Sequence, residues 1–494
     1  MSVRIPRLVI AGLSGDSGKT IVSLSLSAAL WRRQKTLASF KKGPDYIDAA
    51  WLTRAAGRPC RNLDTYLVKQ DRVCQSFIRH SSNADLAVIE GNRGLYDGKD
   101  VTGTHSTAEL AKLLRSPVVL VVDVRKVTRT VGALVNGCRS FDPEVNITGV
   151  ILDRVAGQRH GSIIKAAVEQ YCALPVLGMI PTLAGDAGLI PGRHLGLIPP
   201  AEFDADKNLF DRLAELAENH LDIDALLTCA MSAGDLEAPE VTELLPAGDE
   251  VRIGYFNDSV FTFYYPENLE ALENEGARLT VIDSLKGQKL PDIDALYIGG
   301  GFPETHSAQL SENDRLLRSV REKANGGLPI YAECGGLIYL SRSLLMNDRT
   351  YPMAGVFPID LQMQERPAGH GYTELRADCA NPYYAPGTVL RGHEFHYTAP
   401  VESSVNLNTC LSVHTGVGVG QQRDGLVHKN TLAAYTHIHA LGVPEWAPAL
   451  VKRAREYRLR RSQRQAGECG IDSELETNDN CDKSARPQAS LLSG

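Results

Sequence analysis

The sequence predicts an α/β protein of two successive domains, the first built on a parallel, doubly wound sheet. Short apolar runs alternate with helical patterns in the first half, this alternation lapses near residues 233–250, and a fresh apolar strand begins at Val251. We therefore expect one domain over residues 1–235 and a second α/β domain over residues 250–460. Residues 461–494 have few large apolar side chains, so we expect a disordered tail there.

The composition is typical of a globular protein in a reducing compartment. Of the 494 residues, 43% are hydrophobic and 22% are charged, which allows two sizeable cores. The formal net charge of −7 argues against a nucleic-acid or membrane-surface partner, because polyphosphate binding favours a basic face. We find neither a run of about 18 apolar residues nor a secretory signal. Ten cysteines without zinc-type spacing suggest free thiols, so we expect a cytoplasmic protein.

A phosphate-binding loop is predicted between the first strand and the first helix. Its residues are Gly12, Leu13, Ser14, Gly15, Asp16, Ser17, Gly18, Lys19 and Thr20. Small residues let backbone N–H groups approach phosphate oxygens, and the positive end of the following helix points at them. We expect Lys19 to contact the β- and γ-phosphates of ATP, and the hydroxyl of Thr20 to coordinate Mg²⁺. The alternative is an ordinary turn rich in glycine and serine.

Acidic residues are predicted near the same phosphates. Glu90 follows an apolar strand, and a carboxylate at the carboxyl end of such a strand can coordinate the Mg²⁺. An acid there is often only part of a solvated turn, but the phosphate-binding loop favours the metal. Lys41 can meet phosphate or a substrate carboxylate, while Asp45 and Asp48 can meet a metal. A charged turn explains these last three residues equally well.

A cysteine nucleophile is predicted in the second domain. Cys334 follows an apolar strand and precedes Gly335-Gly336 and an apolar helix, a pattern that resembles a nucleophile elbow. The helix end favours the thiolate, which attacks the amide carbonyl of glutamine, although a buried structural cysteine is the alternative. The glycine loop 299–301 can form an oxyanion hole or a flexible turn. His437 or His439 is the candidate base, and periodicity does not choose between them because alternate residues of a strand share one side.

Together, the two motifs predict the synthesis of an amide. A carboxylate is a poor electrophile at neutral pH, and phosphorylation by ATP converts its oxygen into a leaving group. Free ammonia is mostly protonated in cells, so a glutaminase that delivers ammonia where it is needed is useful. One domain would activate a carboxylate and the other would supply ammonia. A protein of another class, a P-loop nucleotide switch with an inactive glutaminase domain, is the alternative.

Longer motifs are shared with a known enzyme family over residues of about 5 to 460. Besides the phosphate-binding loop they include Lys41-Lys42-Gly43-Pro44-Asp45-Tyr46-Ile47-Asp48, Gly94-Leu95-Tyr96-Asp97-Gly98, Phe263-Tyr264-Tyr265-Pro266-Glu267, Glu333-Cys334-Gly335-Gly336, Arg391-Gly392-His393-Glu394-Phe395-His396-Tyr397 and Tyr435-Thr436-His437. They make the chain similar to the cobyrinic acid a,c-diamide synthase family. The resemblance implies an N-terminal P-loop NTPase-like domain similar to dethiobiotin synthetase, and a C-terminal class I glutamine amidotransferase-like domain. It also implies stepwise, ATP- and Mg²⁺-dependent amidation of the a and c acetate carboxylates of cobyrinate through acyl phosphates, in cobalamin biosynthesis.

The resemblance also implies roles for individual residues. Cys334 matches the nucleophile and His437 its activator, in a variant glutaminase with a Cys/His pair and no triad glutamate. The residues of the first domain that match nucleotide, metal or substrate ligands are Lys41, Asp45, Tyr46, Asp48, Glu90 and Asp97. The expected partners are ATP, glutamine and a tetrapyrrole polycarboxylate, and we also consider a homodimer. Hydrogenobyrinate and nickel-sirohydrochlorin are the alternative substrates.

Overall fold

Two α/β domains follow one another along the chain, as the sequence predicts. The computed structural model describes residues 2–183, 190, 192–193, 196–203, 208–237, 250–287, 289–401 and 407–478. Within these residues, no helix is long and apolar enough to cross a lipid bilayer.

The first domain is built on a seven-stranded sheet in which all neighbouring strands are parallel. From edge to edge the strands are Arg61–Leu63, Leu37–Lys42, Leu86–Glu90, Arg7–Gly12, Val118–Asp123, Ile147–Val155 and Val176–Pro181. The strand Arg7–Gly12 lies in the middle and is buried along its whole length, because helices cover both faces of the sheet. The strand order reverses at this strand, and α/β sheets bind ligands beyond the carboxyl ends of the strands at such a point.

Helices on both faces of this sheet bury its apolar side chains. One face carries Lys19–Arg32, Ile47–Ala56, Leu209–His220 and Ile223–Met231, and the other carries Gln70–Ser81, Thr107–Leu113, Thr130–Phe141 and Gln158–Cys172. Two short antiparallel pairs join Ser2–Val3 to Leu236–Glu237 and Gly192–Arg193 to Gly196–Leu197. The pair at Leu236–Glu237 occupies part of the segment that the sequence indicates as a linker. The rest of that linker, residues 238–249, lies outside the described residues.

The second domain is built on a ten-stranded mixed sheet. Its parallel half consists of Ala277–Ile282, Val251–Phe256, Ala295–Ile298, Ile330–Glu333 and Thr431–Ala434. Its antiparallel half consists of Arg423–His428, Thr409–Thr415, Gly369–Ala377, Val389–His396 and His437–Ile438. A smaller sheet contains Arg349–Pro352, Ser343–Met346, Asp360–Met363 and Thr398–Pro400. The helices are Pro266–Asn274, Ser307–Glu312, Asp314–Asn325, Gly335–Leu340 and Trp446–Asn478, with a 3₁₀ turn at Pro303–His306.

The last helix differs from the tail that the sequence predicts. It runs Trp446–Asn478 and therefore extends past residue 461, where the sequence predicts that a disordered tail begins. Residues 479–494 lie outside the described residues. The side chain of Trp446 is buried in the core of the second domain. The guanidinium of Arg461 pairs with the carboxylates of Asp292 and Asp294 at 2.5 and 3.2 Å. These ion pairs join the helix to the rest of the second domain at residue 461.

Buried polar side chains join the two domains directly. Arg61, on the edge strand of the first domain, forms ion pairs with Glu267 and Glu270 of the second domain. The hydroxyl of Tyr372 donates a hydrogen bond to the carboxylate of Asp64 at 2.7 Å. The side chains of Arg61 and Glu267 are only 8% and 3% exposed, so salt screens their attraction much less than at the surface.

Glu267 should make the stability of the protein depend on pH. Burial raises the pKa of this carboxyl from 4.5 to about 7, although Arg61 opposes the rise. Because the pKa is higher in the folded state, the folded protein binds more protons, and its stability falls as the pH rises through this window. Glu267→Gln removes the group, so we expect a smaller loss of stability between pH 4.5 and about pH 7, measured as the urea midpoint at each pH.

The control is Glu273→Gln, which changes an exposed acid on the same helix and should follow the wild type. If the pH profiles of the two variants were identical, Glu267 would not be the group responsible.

Candidate active site at the junction of the two domains

The predicted phosphate-binding loop is closed tightly at the start of the first helix. The helix Lys19–Arg32 begins directly after Gly18, whose φ of +89° favours glycine. A β-carbon on Gly18 would lie 2.2 Å from the carboxylate of Asp153, at the end of a neighbouring strand. The ammonium group of Lys19 donates to the carbonyl oxygen of Ser14 at 2.8 Å and therefore lies back over the loop.

The other two glycines of the predicted loop, Gly12 and Gly15, have different surroundings. A β-carbon on Gly12 would lie 2.0 Å from the hydroxyl oxygen of Ser17, so the packing of the loop requires glycine there. A β-carbon on Gly15 would meet no atom within 4 Å. Gly15 therefore faces open space, which is where a phosphate can approach the backbone.

Thr20 and Glu90 meet, as the sequence predicts. The hydroxyl of Thr20 donates to Oε1 of Glu90 at 2.8 Å. Glu90 is fully buried at the carboxyl end of the strand Leu86–Glu90. Its second oxygen, Oε2, has no hydrogen-bond partner among the described residues. A buried carboxylate oxygen without a donor is costly, and a bound cation would offset that cost.

Lys41 lies at the centre of a buried group of carboxylates, the acid cluster. Its ammonium donates to Asp48 at 2.6 Å and to Glu90 at 2.7 Å, and the carboxylate of Asp45 lies 3.8 Å away. Burial alone would lower the pKa of Lys41, but these three acids raise it well above its ordinary value. Burial and the nearby Asp48 raise the pKa of Asp45 to about 7. The acid cluster therefore places three carboxyl groups around one lysine.

The acid cluster fits Mg²⁺ bound together with a nucleotide. Within the described part of the chain, no three His, Cys, Asp or Glu side chains converge closely enough to hold a metal ion. Mg²⁺ in nucleotide sites is usually held by one or two carboxylates, by water and by substrate phosphates. Thr20, Asp45 and Glu90 are the predicted ligands, and the unpartnered oxygen of Glu90 suits this role.

Tyr46 and Asp97 lie in different places, although both are expected beside the substrate. Asp97 is exposed, and its carboxylate accepts the N–H of Gly94 at 2.8 Å. Tyr46 extends into the second domain, where its ring stacks on Phe263 with centroids 4.9 Å apart. The ring of His437 lies 5.4 Å from it. Tyr46 therefore connects the acid cluster to the predicted glutaminase, which the sequence does not indicate.

Cys334 sits on a sharp turn between a strand and a helix, as the sequence predicts. The strand Ile330–Glu333 ends just before it, and the helix Gly335–Leu340 begins just after it. Its φ of +49° and ψ of −98° are rare for a non-glycine residue and strain the backbone, as in nucleophile elbows. A β-carbon on Gly336 would lie 2.5 Å from the carbonyl oxygen of Ile298, so the turn requires glycine.

Cys334 borders a small cleft in the second domain. Gly301 and Glu304 line one part of this cleft, and Phe395 and His396 line another. The thiol lies 3.6 Å from the carbonyl oxygen of Phe395. The cleft is therefore the candidate site for the glutamine side chain.

The thiol of Cys334 does not lie in surroundings that favour a thiolate. Burial raises its pKa well above the ordinary value, and the carboxylates of Glu304 and Glu333 raise it further. The N–H of Gly335 opposes this rise, but the helix that follows has only six residues. A thiolate at Cys334 therefore depends on more than the helix end. A neighbouring base has to take the proton.

His437 lies across the glycine loop from Cys334. A β-carbon on Gly300 would lie 2.4 Å from Cε1 of His437. A β-carbon on Gly335 would lie 3.0 Å from the backbone nitrogen of the residue after Gly300. The same loop therefore touches both the imidazole and the turn that carries the thiol. The buried ring of His437 also stacks on that of His393, with centroids 4.9 Å apart.

His439 is the poorer candidate base. Its Nε2 lies 3.7 Å from the carboxylate of Glu267, within the contact between the domains. Burial lowers its pKa to about 3, and the charge of Arg61 adds to this effect. Its ring packs against Tyr265 with centroids 4.6 Å apart. The geometry favours His437, a choice that periodicity leaves open.

The sequence analysis missed two polar groups of the cleft, Glu304 and His396. His396 stacks on Tyr435 with centroids 3.6 Å apart, and its Nε2 lies 3.5 Å from Glu394. Glu304 follows the glycine loop, and His396 falls within a motif shared with the known family. These two motifs are the sequence signals that could have indicated both residues. Their spacing from Cys334 along the chain gives no sign that they share its cleft.

Comparison with known proteins agrees with this division of the chain. Residues 8–187 match the CobQ/CobB/MinD/ParA nucleotide binding domain, and residues 252–444 match the CobB/CobQ-like glutamine amidotransferase domain. The protein of Magnetococcus marinus named cobyrinate a,c-diamide synthase is 41% identical over 92% of this chain and 98% of its own length. This chain belongs to the cobyrinate a,c-diamide synthase family.

Other members of the cobyrinate a,c-diamide synthase family give the same picture. The proteins of that name from Archaeoglobus fulgidus and Salmonella typhimurium are 39% and 37% identical over 91% and 90% of this chain, and over 98% and 97% of their own lengths. The chain is accordingly an enzyme, a glutamine-hydrolysing ligase that forms amides, with a nucleotide-binding first domain. Glutamine-dependent amidation in cobalamin biosynthesis is the reaction of this family.

Neutralising Lys41 should harm the chemistry of the first domain and spare that of the second. Lys41→Met leaves three acids together without their counter-ion, and breaking such a buried pair costs about 3–5 kcal/mol. We expect amidation to fall by at least about 100-fold, as when other charge-stabilising groups are removed, while glutamine hydrolysis persists. Amide products are measured by mass spectrometry and glutamate release by a coupled assay.

Lys35→Met changes an exposed lysine just before the same strand and serves as the matched control. Normal amidation by a folded Lys41→Met variant would show that the acid cluster is not part of the site.

Proposed function

We propose that this enzyme uses ATP and Mg²⁺ to activate the a and c acetate carboxylates of cobyrinate, and converts each into an amide with ammonia from glutamine. The observation that carries the proposal is the position of Tyr46 between the two candidate centres. Tyr46 follows Asp45, whose carboxylate lies 3.8 Å from Lys41, and its ring lies 5.4 Å from that of His437. The names of the curated relatives support the choice of substrate.

The first domain would activate the carboxylate. Lys19 and the backbone of the phosphate-binding loop would bind the triphosphate, and Thr20, Asp45 and Glu90 would hold Mg²⁺. The metal would offset the charge that shifts during phosphoryl transfer. An acetate oxygen attacks the γ-phosphorus, the bond to the bridging oxygen breaks, and ADP leaves. Ammonia then attacks the carbon of the acyl phosphate, and inorganic phosphate departs with the electron pair of the C–O bond.

The second domain would release ammonia through a covalent intermediate. His437 accepts the thiol proton of Cys334, and the sulfur attacks the amide carbon of glutamine. The C–N bond then breaks, and the imidazolium returns the proton to the leaving nitrogen, which gives ammonia and a thioester. Water, deprotonated by the same imidazole, hydrolyses the thioester to glutamate. Because burial keeps the thiol protonated, this reaction needs the base.

Ammonia would move from one centre to the other inside the protein. In bulk water it would become ammonium, which has no free electron pair for attack. The rings that surround Tyr46 include the buried Tyr265, His393 and His437. Burial lowers the pKa of His393 well below its ordinary value, so this imidazole is neutral and does not protonate passing ammonia. The junction therefore suits the transfer of a small neutral amine.

The diamide would form in two turnovers. The single phosphate-binding loop and the single elbow serve both carboxylates, so the substrate has to leave or turn between them. A monoamide is the expected intermediate. Hydrogenobyrinate and nickel-sirohydrochlorin carry similar carboxylates and are the alternative substrates to compare with cobyrinate.

Cys334→Ala should abolish amidation with glutamine but retain amidation with ammonium salts at raised pH, because the first domain would still form the acyl phosphate. Lys19→Ala should lose activity with both nitrogen sources.

Products from cobyrinate, hydrogenobyrinate and nickel-sirohydrochlorin are followed over time by mass spectrometry. Cobyrinate should give a monoamide that accumulates and then decays.

Two results would contradict the proposal. Loss of ammonium-driven activity in a folded Cys334→Ala variant would show that the two domains do not divide the work in this way. If the enzyme amidated an alternative tetrapyrrole in preference to cobyrinate, the proposed substrate would be wrong, whereas the proposed type of reaction would still hold.

A further inference from the structure

We propose that Glu333, the residue directly before the nucleophile, positions the imidazole of His437 and serves as the acid of a Cys–His–acid triad. The inference deepens the proposed function, because it rests on His437 as the base for Cys334. The sequence and the resemblance imply a Cys/His pair without such an acid. In the structure, a carboxylate reaches the histidine from an unexpected place in the chain.

The carboxylate of Glu333 lies beside Nδ1 of the His437 imidazole. Oε2 of Glu333 lies 3.8 Å from Nδ1 of His437, and the two side chains are only 1% and 2% exposed. Among the described residues, Nδ1 of His437 has no hydrogen-bond partner. A buried imidazole nitrogen without a partner is costly, and Glu333 is the acid placed to satisfy it.

Two hydrogen bonds hold Glu333 in this position. Its Oε1 accepts the backbone N–H of Ile438 at 3.0 Å, and its Oε2 accepts the hydroxyl of Tyr297 at 3.0 Å. Ile438 directly follows His437, so the carboxylate is fixed to the same short strand that carries the imidazole. Neutral donors orient a buried carboxylate but do not balance its charge, whereas an imidazolium at His437 would.

Two other titratable side chains have rings close to that of His437. His393 stacks on its ring from the strand Val389–His396, and Tyr46 approaches it from the first domain. Burial lowers the pKa of His393 and raises the pKa of Tyr46, each well away from its ordinary value and towards the neutral form. Glu333 is thus the carboxyl group that faces His437.

An acid in this position would act on the base in two ways. A hydrogen bond from Nδ1–H to the carboxylate fixes the tautomer in which Nε2 can accept the thiol proton of Cys334. The negative charge also stabilises the imidazolium that forms when the thiol is deprotonated. The separation of 3.8 Å has to shorten by about 1 Å for this hydrogen bond, and catalytic hydrogen bonds often tighten when substrate binds.

Glu333→Gln tests the inference, because it keeps the shape of the side chain and removes its charge. We expect kcat for glutamine hydrolysis to fall by about 100-fold or more, with KM for glutamine little changed. The acidic limb of the pH profile of kcat/KM should move to lower pH, since the imidazole loses a stabilising negative charge. Amidation driven by ammonium salts should persist. Glu333→Asp, which restores the charge at a greater distance, should recover part of the rate.

The matched control is Tyr297→Phe, which removes one hydrogen bond to the same carboxylate and leaves the charge in place. It should lower the rate much less and should not shift the pH profile. The inference is overturned if Glu333→Gln keeps the wild-type kcat, or if both variants lower kcat equally without a shift of the pH profile. His437→Asn tests the role of His437 as the base separately from the role of Glu333. Retained hydrolysis in that variant would refute His437 as the base, whereas its loss beside an active Glu333→Gln variant would refute only the role of Glu333.

Discussion

The contact of Tyr46 with the second domain is the constraint on which the rest of the account depends. Its backbone belongs to the segment that supplies Asp45 and Asp48, while its ring stacks on Phe263 and lies beside His437. A displacement of either domain would therefore separate the acid cluster from the candidate site around Cys334 and His437. We propose that this contact also keeps water from the path of ammonia, which bulk water would convert into unreactive ammonium.

Buried charges are balanced by residues that are far apart in the sequence. Lys41 is paired with Glu90 in the first domain, and Arg61 is paired with Glu267 across the domain boundary. A buried charge that loses its partner is strongly destabilising, so both sites require the complete fold. At the proposed nucleophile the opposite holds, because burial raises the pKa of the Cys334 thiol well above its ordinary value. The reactive ion pair then forms only when a base accepts the proton.

Features that depend on neighbours in the sequence could be predicted, and features that depend on packing could not. The phosphate-binding loop and the elbow each have a local pattern of glycines around a reactive group. The meeting of Thr20 with Glu90 follows because the carboxyl ends of neighbouring parallel strands lie at one edge of a sheet. No periodicity reveals how two domains pack, which is why the sequence does not predict the position of Tyr46 or the approach of Glu333 to His437.

Transfer of ammonia within the protein is tested most directly with isotopes. The enzyme is supplied with ATP, Mg²⁺, cobyrinate, glutamine labelled with ¹⁵N in its amide, and a large excess of unlabelled ammonium at neutral pH. Mass spectrometry then measures the ¹⁵N content of the amide groups in the product. We expect the wild type to incorporate almost only ¹⁵N. Tyr46→Ala should incorporate much more unlabelled nitrogen, because the junction between its two domains is open to water. Equal dilution of the label in the wild type and in the variant would contradict the central claim.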